Sequence, residues 1–94
     1  MFIKLTVCDI YETDQIKDPF LKTKWHEWKE KEQYFNINYI KCFKECHHIS
    51  QYIKENTLGI EPFNTLLWQL DNEECYRIKE TTKQIINLIN KVKK

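Results

Sequence analysis

Alanine is absent from this chain of 94 residues, glycine occurs once (Gly59), arginine once (Arg77) and proline twice (Pro19 and Pro62). A single glycine excludes a glycine-rich loop that wraps phosphate with bare backbone. A single arginine excludes the guanidinium clusters that fork onto phosphates and base edges. Long apolar runs are missing, so no segment reads as a membrane-spanning helix. The opening Met1-Phe2-Ile3-Lys4-Leu5 has no basic leader, extended apolar run or small-residue cleavage site, so no secretory signal is expected. An excess of one charge sign is missing too. Lys and Arg number 15 against 14 Asp and Glu, a net charge of +1, so no global field draws the chain to nucleic acid or anionic lipid. The four scarce amino acids share GC-rich codons, whereas lysine, isoleucine and asparagine number 14, 12 and 7. That bias fits an AT-rich genome, such as a low-GC bacterium, its phages or mobile elements, or some AT-rich eukaryotes.

What is present is globular. Hydrophobic residues make up 41% and charged residues 31%, enough for one small core and one domain spanning residues 1–94. Residues 2–8 alternate, with Ile3, Leu5 and Val7 on one face, and predict a half-buried strand. Residues 11–18 show little period and read as a loop. Asp18-Pro19 reads as a helix start, with Asp18 as acceptor for exposed N–H groups and Pro19 at the first helical position. Leu21, Trp25, Trp28 and Phe35 then predict a helix over 19–33, supported by Glu27 and Lys31 four apart. A second helical face, through Tyr39, Cys42, Phe43, Cys46, Ile49 and Ile53, predicts a helix over 38–57 that Gly59 ends in a left-handed stop. A strand over 33–41 competes with it. Residues 64–70 read as a buried strand. Asp71 and Glu74 suggest a capping box for a third helix over 72–92, along Cys75, Ile78, Thr82, Ile85, Ile89 and Val92. The expected fold is therefore α+β, with three helices on a small two-stranded antiparallel sheet in the order β-α-α-β-α.

Chemistry-bearing residues are few. Cys42, Cys46 and His47 carry thiolate and imidazole at one-turn spacing, a zinc-like pattern, but a structural site needs a fourth ligand from elsewhere. Core packing of the cysteines is the preferred reading, and no metal or cofactor is expected. His47 directly follows Cys46, so on a helix its ring points about 100° away from the thiol, which disfavours a nucleophilic pair. The chain is read as a non-enzyme. Four cysteines without a secretory signal suit reduced thiols in a cytoplasmic setting.

Three tryptophans and five tyrosines are many for this length, and aromatic anchors with charged rims are typical of protein interfaces. Trp25, Trp28, Tyr34 and Tyr52, with Lys29 and Lys31 at the rim, are the candidate partner-binding residues. The expected function is a small inhibitor or antidote that blocks a larger enzyme or nuclease complex by occlusion. Phage-encoded anti-defence proteins (anti-CRISPR proteins among them) and toxin-immunity proteins set the size precedent. The alternative is a nucleic-acid-binding regulator using the lysines of residues 22–44, which the interleaved glutamates weaken.

Overall fold

The computed structural model describes residues 1–46, 51–71 and 74–93. Its dominant feature is one long hairpin. Strand β1 (Phe2–Asp18) has 17 residues and strand β2 (Thr23–Asn36) has 14, and they pair antiparallel along their length. A strand of that length measures about 55 Å at about 3.3 Å per residue, which matches the 56 Å long dimension of a molecule only 22 × 20 Å across. The radius of gyration is 15.6 Å, where a compact chain of this length would have roughly 12 Å.

A 3-10 turn (Ile37–Tyr39) leads into β3 (Ile40–Glu45), followed by a short helix α1 (Gln51–Asn56) and a two-residue strand β4 (Thr57–Leu58). Strands β5 (Thr65–Gln69) and β6 (Cys75–Ile78) and helix α2 (Thr82–Val92) complete the described chain. The strands form one six-stranded sheet in the order β3-β5-β6-β1-β2-β4, antiparallel except where β2 meets β4.

Helix α2 packs on one face at the base of the hairpin. There Ile3, Leu5 and Val7 of β1, Phe35 of β2, Leu67 of β5, Ile78 of β6 and Ile85 of α2 form the buried core. Phe35 also meets Tyr76 edge-on, with ring centroids 5.3 Å apart. Thr81 caps the helix, accepting from the Gln84 N–H while the Gln84 side chain accepts from the Thr81 N–H.

The sheet's two halves meet at a narrow seam between β1 and β6. Val7 faces Ile78 there, and the Lys79 N–H donates to the Thr6 carbonyl at 2.9 Å. The Glu80 carboxylate completes the seam, accepting from the Thr6 N–H at 2.7 Å and the Thr6 hydroxyl at 3.0 Å.

This architecture corrects the expected one. The sheet has six strands rather than two, and the described residues hold two helices rather than three. Residues 11–18 extend the first strand, and 23–36 form its partner instead of a helix. Trp25, Trp28 and Phe35 fit a helical period, but the segment between them is polar enough to satisfy a strand as well. The winning contacts are cross-strand. Lys4–Glu32 (3.5 Å), Lys24–Glu12 (3.7 Å) and Lys31–Asp9 (3.6 Å) each bridge diagonal positions of the β1–β2 register. In place of the expected helix over 38–57, the described residues hold the end of the 3-10 turn, β3, the six-residue α1 and the start of β4, while residues 47–50 lie outside the described residues. The competing strand reading over 33–41 holds for residues 33–36 and 40–41. Gly59 does adopt a left-handed φ of 83°, but after β4 rather than after a helix. The strand over 64–70 is present, though β6 stands between it and β1. The last helix starts at Thr82 because Cys75–Ile78 serves as the strand that links β5 to β1, with Tyr76 and Ile78 turned to the core. The Asp71 box falls partly on Asn72 and Glu73, outside the described residues, and Glu74 is not helical.

Candidate partner-binding surface

Beyond Cys8 the hairpin leaves the core and becomes an arm. From Asp9 to Tyr34 no residue is fully buried. The arm is braced on one side by α1 and β4, where His26 and Glu27 pair with Thr57 and Leu58. Lys17 donates to the Asn56 side chain at 2.7 Å while its ammonium lies 5.1 Å from the Trp25 ring centre. Nearer the base, Trp28 packs against the buried Phe63 at a centroid distance of 5.4 Å, with the Arg77 guanidinium 5.9 Å from its ring centre.

The arm ends in a turn that the sequence builds without glycine. The Asp18 carboxylate accepts from the Phe20 N–H at 2.9 Å and the Leu21 N–H at 3.3 Å. Pro19 lies inside the turn, and Lys22 takes the positive φ of 55° that returns the chain into β2. Asp18 thus plays the acceptor role expected of it, in a hairpin turn instead of a helix start. The result is an apolar tip: Phe20 is 96% exposed and Leu21 73%, with Ile16 also exposed beside them. Near the tip, β1 takes six steps from Glu12 to Asp18 while β2 takes three from His26 to Thr23, a pair of register shifts that bend the strand end.

Burying a phenylalanine and a leucine is worth roughly 3–6 kcal/mol together. Association costs about 4–15 kcal/mol in lost freedom. The tip is therefore an anchor, and a stable complex needs contact along the arm as well.

The candidate residues named from sequence do not form one patch. Trp25 and Trp28 are half-buried and point to opposite faces of β2, since three residues along a strand reverse the side. Tyr34 is 68% exposed near the base, and Tyr52 is 70% exposed on α1. Tyr34 lies about 30 Å along the strand from Trp25. Lys29 and Lys31 are exposed on the arm, Lys29 5.0 Å from the Tyr11 ring centre and Lys31 paired to Asp9. The tip residues Phe20 and Leu21 were missed. Their signal was an apolar pair directly after Asp-Pro that belongs to no period-two face.

The sheet face away from α2 carries the cysteines. Cys42, Trp68 and Cys75 stand in one cross-strand row, and Lys44, Leu66 and Arg77 in the next, with Lys44 5.5 Å from the Trp68 ring centre. All four cysteines are thiols. Burial pushes the Cys8 thiol up to about 11, helped by the nearby Glu30 charge, and burial also raises Cys75. Cys42 and Cys46 are not one helical turn apart. On extended chain they are separated by about 13 Å. His47 lies outside the described residues. Among the described residues no group of three or more His, Cys, Asp or Glu could hold a metal, and no helix is long and apolar enough to cross a membrane.

In comparisons with known proteins, no family model, no curated sequence and no solved structure matches the chain. The attribution to a phage-borne anti-defence inhibitor rested on size and codon-linked composition. Neither fold nor comparison adds support to it.

Proposed function

We propose that this chain acts by binding another protein, with the hairpin tip inserted into an apolar recess and the arm lying over the surface it masks. The observation that carries the reading is the pairing of Phe20, nearly fully exposed, with the largely exposed Leu21 at the end of an arm that the rest of the fold holds away from the core. Exposed aromatic and aliphatic residues on a preorganised turn lose little freedom on binding, which is the economy that interface anchors exploit. The role is binding rather than catalysis, and the cytoplasm is the compartment that suits four thiols.

The test is paired capture from the native host with the wild-type chain and the Phe20→Ser/Leu21→Ser variant. Both substituted side chains are exposed, so stability should move by no more than about 0.5 kcal/mol. A stoichiometric protein partner held by wild type at moderate salt and released by the variant supports the reading. Retention by the variant, or recovery of nucleic acid alone with affinity that falls steeply with salt, defeats it.

A further inference from the structure

Strand β2 has two unlike edges. Its inner edge pairs with β1 from Thr23 to Asn36. Its outer edge, among the described residues, pairs only at His26 and Glu27. From Trp28 to Phe35 no described strand lies against it, which leaves about 26 Å of backbone edge. Such an edge is a template for another strand unless its side chains prevent pairing.

The side chains on this edge have a definite pattern. Lys29 and Lys31 project from one face and Glu30 and Glu32 from the other. Each charge already has a neighbour on its inner side: Asp9 for Lys31, Lys4 for Glu32, Lys79 for Glu30 at 3.2 Å, and the Tyr11 ring for Lys29. These neighbours hold the two signs on separate faces.

We propose that the outer edge of β2 receives an extended segment of a different protein as an added strand. That segment places acidic residues beside Lys29 and Lys31 and basic residues beside Glu30 and Glu32. Main-chain hydrogen bonds supply affinity, and the alternation of sign supplies selection. A second copy of this chain is a poor occupant. Two-fold antiparallel pairing keeps the same face on the same side, so overlap of residues 29–32 with themselves sets lysine against lysine and glutamate against glutamate. The proposal rests on the reading of the chain as a protein-binding module but uses a surface separate from the tip.

The test uses the full chain and a short synthetic peptide of alternating glutamate and lysine at low ionic strength. One control peptide has the same composition with the residues in blocks of two, which mixes signs on each face. A second control is the alternating peptide N-methylated through its centre, which keeps the charges and removes the main-chain donors. Amide shift changes confined to residues 28–35 are expected with the alternating peptide. Four favourable cross-strand pairs make it bind about tenfold more tightly than the blocked peptide, and the N-methylated form should not bind. Lys29→Glu/Lys31→Glu should lower affinity for the alternating peptide. Phe20→Ser/Leu21→Ser should leave it unchanged, so failure at the tip and failure at the edge are distinguishable. Equal binding of alternating and blocked peptides, undiminished binding of the N-methylated peptide, or a concentration-dependent dimer mapped to residues 28–35 would overturn the proposal. The peptide controls act on the wild-type chain and stand even if the lysine variant fails to fold.

Discussion

The two ends of the β1–β2 hairpin share strands, pairing and charge content, yet differ in what holds them. At the base, Ile3, Leu5, Val7 and Phe35 are buried under α2. Along the arm, cross-strand ion pairs, two tryptophans against cations and one ring pair at Trp28–Phe63 do the same task. Exposed ion pairs contribute about 0–1 kcal/mol each, while a buried aromatic is worth several. A strand can thus continue far past its core, but the continuation is held by weaker and more local contacts.

The sharpest way to break the base is Phe35→Ala. It removes a fully buried ring and should destabilise the whole molecule by about 3–5 kcal/mol, read as a lower urea midpoint with an unchanged slope.

Cys8, the last fully buried residue before the arm, gives a pH probe of the boundary. Its folded-state value lies above the ordinary 9.0, at about 11. Both states hold the proton below pH 9, so stability from this group is complete there. As pH rises the unfolded chain ionises first, and stability is lost up to about pH 11. The loss is roughly 2–3 kcal/mol. The difference between wild type and Cys8→Ala isolates it from other groups that titrate in that range. Parallel stability–pH curves for the two proteins would show that the thiol is not held in a buried state.

Trp28→Ala should have the smallest global effect of the three, roughly 1–2 kcal/mol, since the ring is half-buried. Its consequence should be local. Amides in residues 9–16 and 24–30 should exchange faster with solvent, while those of residues 3–7 keep their wild-type protection. Equal acceleration at both ends would mean that base and arm open as one unit.

The same contrast explains what the sequence made legible. Residues 2–8 read correctly as a strand because burial on one face imposes alternation, and the strand expected over 64–70 is present at 65–69 because a short apolar run between polar residues marks a buried strand. The stripe Thr82, Ile85, Ile89, Val92 read correctly as helix because it faces the sheet. The arm faces no core, so nothing forces a period on residues 11–29, and the few large residues there fit helix and strand alike. The site followed suit. Exposure of Tyr34 and Tyr52 is compatible with their expected role, but the tip could not be recognised without first knowing that Asp18-Pro19 turns a hairpin.

The narrow seam at Val7 and Ile78 bears on the order in which the sheet assembles. The hairpin closes a loop of only a few residues between Asp18 and Thr23, whereas the seam joins positions about seventy residues apart. Loop-closure entropy makes the second event costlier by roughly 2.5 kcal/mol before any contact rewards it. Hairpin pairing is thus the local event and seam docking the late one, which places Thr6 and Glu80 on the slow side of folding. A Glu80→Ala chain should then unfold faster while its hairpin pairs at an unchanged rate.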